Sequence, residues 1–342
     1  MIRARELATG PASALDWNLR RSIPPKGATM PTITLALLCL LATHAGAELD
    51  PATRFADDFW RHWGDGQAEL ASYDLTFARY GAERSGTAIA IFVTETFSHS
   101  LRVKADPGNH PDTDTYPVMK LNLVEDFPTG VYDYNLMTST FVSLVERDDQ
   151  PRGHVTKVSH SMQEWCGHAW IQWTAHPEHL DWTMHSYFDG EADQDSQLDL
   201  PEGGFAEDAV LLWARELAGP FLDPGASTSR PLFTASRQVR MEHRDPTWTN
   251  ARFHRAAETT TITVPAGDFE VEERWITQDD REIWRIWTEA AAPHRIVKWA
   301  NAHGQTAELV ASDRMPYWRL NGPDGIERLG TIGLQPRPAR TP

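Results

Sequence analysis

Glu164, Cys166 and His168 stand at alternate positions in the stretch SMQEWCGHAW, residues 161–170. A carboxylate, a thiol and an imidazole are the residue types that hold Zn2+ or build an activated nucleophile. If residues 163–175 run as one strand, Glu164, Cys166, His168, Trp170, Gln172 and Thr174 share a face. Ala169, Ile171, Trp173 and Ala175 then share the core side. Residues two apart on a strand lie about 7 Å apart at Cα, a gap that side chains can close. Glu164, Cys166 and His168 are therefore the candidate catalytic set, with a shared metal as one way to use them. The plainer reading is a structural strand. Gly167 would weaken or bulge it, and no C-x-x-C or H-x-x-x-H spacing accompanies it. In that reading Trp165 and Trp170 shelter the thiol from oxidation.

Two further groups carry ligand chemistry. His154, His160, His168, His176, His179 and His185 are dense enough to take up Zn2+ or Cu2+, or to respond to mild acid. Their irregular spacing fits solvated strand and loop residues better, and His176 and His179, three apart across Pro177, suit a turn. Asp189, Glu191, Asp193 and Asp195 alternate through DGEADQDSQLDLPEGG (189–204). A Ca2+ loop needs a glycine after the third acid and a glutamate beyond it, and neither fits, so a solvated acidic loop is expected. No G-x-S-x-G, P-loop or dinucleotide fingerprint is present, and no cofactor is expected.

The elements that must position these residues read mainly as strands. Residues 86–96 place Ile89, Ile91 and Val93 on one face, and 118–124 place Met119, Leu121 and Leu123 opposite Lys120 and Asn122. Residues 132–146 are rich in Thr, Val and aromatics. Past the acidic break, 220–231 reads as a loop. Strands resume at 269–277, where Phe269, Val271, Glu273 and Trp275 share a side, and continue at 281–289, 294–300 and 306–312. Alternation with one polar face points to antiparallel sheet covered on one side. Two helices are expected. One spans 51–63, with Asp50 as N-cap, Pro51 at the first position and an aromatic stripe of Phe55, Phe59 and Trp63. The other spans 206–218 and stops at Gly219-Pro220. The expected fold is a large curved antiparallel sheet, half-barrel or two-layer, under two covering helices. Residues 48–332 form one β domain, with a possible subdivision at 189–231, and 333–342 form a disordered tail.

The chain has 342 residues, 14 tryptophans and a net charge of −16. Each buried indole withdraws on the order of 200 Å2 from water, so a large core is within reach. The charge excludes nucleic acid and anionic lipid surfaces as partners. Residues 30–47, MPTITLALLCLLATHAGA, have a short apolar core and a small-x-small ending, the pattern of a secretory leader cleaved after Ala47. Met30 then reads as the true start. Leu38 before Cys39 argues against lipidation. Export leaves Cys166 as the one remaining cysteine, so no internal disulfide is expected.

QEWCGHAW, with FWRHWGDGQAELASYDLTFARYG (59–81) and GTAIAIFVTETFS (86–98), resembles a family of exported bacterial proteins often labelled septum formation inhibitor Maf. The cytoplasmic nucleotide pyrophosphatases of that name open with an S-x-S-P-R-R-like segment, which is absent here. The resemblance implies export and brings no activity with it. TVPAGDFEVEERW (263–275) and AAPHRIVKWANAHGQTAEL (291–309) are similar to exported β proteins of the DUF3108 type. That similarity implies a lipoprotein-carrier-like sheet wrapped around a helix and an apolar cavity, although tryptophan and polar residues replace part of the small aliphatic lining.

The leading expectation is a monomeric, non-catalytic periplasmic or envelope-associated protein that binds a hydrophobic small molecule or an envelope protein through an apolar concavity, without being an integral membrane protein. The alternatives are a metal- or thiol-dependent enzyme using Glu164, Cys166 and His168, and a structural or adhesive envelope module.

Overall fold

The computed structural model describes residues 55, 57–147 and 150–336. The expected leader, the first residues of the expected helix at 51–63 and residues 337–342 of the expected tail lie outside this range. The first eight strands form an antiparallel meander: β1 (Ala68–Arg79), β2 (Ala82–Ser98), β3 (Thr115–Pro128), β4 (Asp133–Ser143), β5 (Val155–Glu164), β6 (Gly167–Ala175), β7 (His179–Ser186) and β8 (Gln194–Asp199). The second half contains β9 (Phe205–Ala206), β10 (Ser227–Phe233), β11 (Trp248–Arg255), β12 (Thr260–Val264), β13 (Gly267–Gln278), β14 (Arg281–Glu289), β15 (Ile296–Asn301) and β16 (Gln305–Met315).

All sixteen strands belong to one sheet. β1 pairs with β16 and joins the halves, leaving β8 at one edge and β9 at the other. The sheet is mixed rather than wholly antiparallel, because β9 runs parallel to β10. Its two ends meet through side chains. Trp248 Nε1 donates to the Asp199 carbonyl at 2.8 Å, and Phe233 lies edge-on to Trp173 and Trp182.

Among the described residues, three short α-helices accompany the sheet: α1 (Asp57–Trp63), α2 (Val210–Ala214) and α3 (Ser236–Glu242). The aromatic stripe of α1 covers the sheet as its spacing predicts. Phe55 and Trp63 are buried, and Thr94 of β2 donates to the Trp63 carbonyl. The second expected helix differs in length and place. Glu216 sits at φ +59°, in the left-handed region, and ends the helical run well before 218. Nor does this segment cover the sheet from outside: α2 is buried on every side, as a helix inside a core must be. α3 went unpredicted. Its sequence, SRQVRME, is charged, yet Arg237 and Arg240 are almost wholly buried.

Other expectations are corrected by what fills the interior. In β2 the main core takes Ala88, Ala90 and Phe92, while Ile91 and Val93 pack with Met315 and Ile332 in a separate cluster. On that face Arg215 lies over the Phe92 ring at 4.2 Å. In β13 Val271 is buried, but beyond it Arg274 and Ile276 turn inward rather than Glu273 and Trp275. Arg274 meets Glu216 and Glu272 there, and Trp275 stacks on His254. The expected loop at 220–231 already contains the start of β10, and the acidic break contains β8.

The concave face is filled rather than hollow. Residues 205–222 run through it, and their ionisable groups each meet a partner. Arg215 forks onto Glu69 at 2.6 and 3.0 Å, and Glu216 pairs with Arg255 and Arg274. Glu207 accepts from Trp284 Nε1 and the Ala235 amide. Arg237 of α3 pairs with Glu125 at 3.0 Å and donates to Gln305 at 2.9 Å. Among the described residues, no helix is long and apolar enough to cross a membrane.

Candidate functional site

SMQEWCGHAW is not one strand. β5 ends at Glu164, β6 begins at Gly167, and Trp165 and Cys166 form the two-residue turn between them. Glu164 stands opposite Gly167, and Gln163 opposite His168. Directly opposed residues share a face and neighbours alternate, so Glu164 and His168 point to opposite sides of the hairpin. Gly167 is required here for a steric reason: a Cβ would meet the Tyr187 ring at 2.5 Å. Cys166 is exposed rather than sheltered, and Trp165 is 74% exposed. Glu164 accepts a hydrogen bond from the Cys166 amide at 2.7 Å, and its carboxylate pushes the thiol above its ordinary range. A thiol so placed carries less thiolate at neutral pH, the reverse of an activated nucleophile. Glu164 and Cys166 are brought together; His168 is not.

The same end of the meander carries a rim of exposed apolar side chains on successive hairpin turns. Tyr80, Val131, Trp165 and Tyr187 are all well exposed, and Tyr132 lies 6.2 Å from the Trp165 ring.

The acidic run does not converge on a cation. Asp195 accepts from Thr183, Asp193 pairs with His185, and Glu191 pairs with His243. The histidines also part company. His160 is buried against Thr138, and burial drives it down to about 3. His154 falls to about 4 through burial and the nearby Arg102 charge. His176 and His179 come together with Asp181 at the turn joining β6 to β7.

A sizeable concavity lies at that second end. A cleft of about 530 Å3 opens between the 151–155 connection, the Pro177–Glu178 turn, the 200–205 connection and Gly219–Phe221. Phe205, Phe221, Leu200 and Val155 supply apolar walls, and Arg152 and Arg230 supply charge. Gly153, at φ +82°, lets the wall close, since a Cβ would meet the Phe221 ring at 2.8 Å. His154 lines the cleft, and its buried Nε2 has no hydrogen-bond partner among the described residues. This cleft was not read from the sequence: its walls come from four distant segments, and Gly-Pro-rich connections resemble ordinary turns. A second cleft of about 290 Å3 lies between α1 and the 292–294 turn.

No family model and no curated protein matches the sequence. Two solved structures bear a distant likeness to it. One is a β-barrel-like protein of a domain of unknown function, DUF1849, from Brucella abortus. It is 11% identical, with a TM-score of 0.40, covering 72% of this chain and 97% of the other. The second is a protein from Bacteroides fragilis described as an exported candidate with a YmcC-like fold. It is 12% identical, with a TM-score of 0.19, covering 72% of this chain and 95% of the other.

Proposed function

We propose that this is an exported, non-catalytic envelope protein that binds a lipophilic small molecule with a polar head in the cleft at the β6–β7 end. The observation that carries the reading is the contrast between a concave face filled by residues 205–222 and an open cleft of about 530 Å3 beside it. That volume lies within the range of small-molecule sites, which pair mostly apolar walls with a few placed polar groups. The polar groups here are Arg152 and Arg230, with Glu178 and Glu202 beside them at the cleft wall. Export rests on the leader pattern at 30–47, and the acidic charge suits a soluble carrier. Thiol or metal chemistry at Glu164, Cys166 and His168 gains no support from a hairpin that turns His168 away.

The test is a titration with Nile red, a neutral lipophilic probe, followed by its fluorescence. The expected result is saturable binding that weakens several-fold in Arg152→Glu and in Glu202→Trp, a change at the cleft rim. No saturable binding to the wild type, or equal binding in both variants, would remove the reading.

A further inference from the structure

We infer that His176, His179 and Asp181 form a site for one divalent transition-metal ion of the Zn2+ or Cu2+ class, on the outer face of the β6–β7 hairpin. The inference is independent of what occupies the neighbouring cleft. Pro177 and Glu178 make the turn, and the His176 amide donates to the His179 carbonyl at 2.8 Å. The two imidazoles therefore leave the backbone from opposed positions. Their rings stack with centroids 4.7 Å apart and planes 9° apart. Asp181 lies two residues beyond His179 and so shares its face.

Both imidazoles reach one carboxylate. His176 Nε2 lies 3.0 Å from Asp181 Oδ2, and His179 Nε2 lies 3.4 Å from Asp181 Oδ1. All three ligand atoms fall within 4.8 Å of one another. Tetrahedral Zn2+ with bonds of about 2.0–2.1 Å places its ligand atoms roughly 3.4 Å apart, so the cluster needs only small side-chain adjustments. The Gln197 amide donates to Asp181 Oδ1 at 3.0 Å and fixes the carboxylate, as outer partners do for metal ligands.

Other histidine–carboxylate pairs serve as internal controls. His110–Asp114, His185–Asp193 and His303–Glu242 each bring one imidazole to one carboxylate. Among the described residues, only the β6–β7 turn gathers three ligand side chains this closely. Two imidazoles and a carboxylate suit Zn2+, Ni2+ or Cu2+ and fit the oxygen-rich shells of Ca2+ and Mg2+ poorly. Three protein ligands leave a coordination position open to solvent. Pro177 and Glu178 also line the cleft, which places the ion at its rim.

The experiment is calorimetric titration of the full chain with Zn2+, repeated with Cu2+ and followed by electron paramagnetic resonance. One equivalent should bind with micromolar affinity, and the Cu2+ spectrum should show nitrogen ligation. His179→Ala and Asp181→Asn should each weaken binding roughly tenfold or more, whereas His185→Ala should leave it unchanged. Circular dichroism confirms that each variant is folded. Absence of binding at millimolar Zn2+, or affinity that survives both His179→Ala and Asp181→Asn, would overturn the assignment.

Discussion

Strand β6 ends in two turns that differ in one respect. At its start, Trp165 and Cys166 separate Glu164 from His168. At its end, Pro177 and Glu178 bring His176, His179 and Asp181 together. Both tips are rich in ligand-type residues, so composition alone does not distinguish them. Parity does. Residues directly opposed across a hairpin share a face, as do residues two apart on one strand. His176 and His179 flank their turn as an opposed pair, and Asp181 follows at the right parity. Glu164 faces Gly167, while His168 faces Gln163, one step out of phase. A third region completes the contrast. The charges inside the sheet, Glu69, Glu125, Arg215 and Arg237, are paired with one another and buried.

If the interior carries stability and the tips carry chemistry, substitutions should separate the two. The largest effect is expected from Glu69→Gln, which strands the buried Arg215 charge. Breaking one side of a buried pair costs about 3–5 kcal/mol, whereas Trp165→Ser at the exposed tip should stay within about 0.5 kcal/mol. Urea unfolding measures both, and equal losses would dissolve the contrast.

A smaller effect is expected from Asp208, whose carboxyl burial raises to about 7 although the residue as a whole keeps some solvent exposure. An unfolded aspartate releases its proton near pH 3.9 or so. Between about pH 4 and 7 the folded state therefore binds more protons, and this group's stabilisation is lost as pH rises through that window. His154 and His160 act oppositely: their lowered values make stability fall as pH drops below about 6.5. As pH rises from about 4 to 7, Asp208→Asn should gain stability relative to the wild type. Thermal melts across that range read the difference, and parallel curves would contradict it.

The smallest effect concerns the first tip. Glu164→Gln removes the carboxylate that raises the Cys166 thiol, so labelling by a disulfide reagent at neutral pH should accelerate a few-fold. An unchanged rate would mean that Glu164 does not govern the thiol.

Much of the architecture was legible in the residues. The alternation in 118–124 and the runs at 281–289 and 306–312 became β3, β14 and β16, and of the aromatic stripe Phe59 and Trp63 lie on α1, with Phe55 buried just before it. Misreadings arose where a buried charge reversed the apparent inside. Arg274 faces inward because Glu216 meets it there, and Ala88 and Ala90 rather than Ile89 and Ile91 enter the main core. No local pattern announces a partner more than fifty residues away. At the candidate site, the turn at Pro177 was visible, but its consequence was not. The pairing of His176 with His179 depends on a strand register that only the neighbouring strands fix.

The residues by themselves determined a mainly β protein with tryptophan-rich strands, one amphipathic N-terminal helix and an acidic exterior, because period-two alternation and apolar burial act locally. Tertiary structure decided that residues 205–222 fill the sheet, that Glu164 and His168 part, and that two histidines and an aspartate converge. Those outcomes depend on which strands pair and in what register, and pairing is settled by contacts spanning the whole chain.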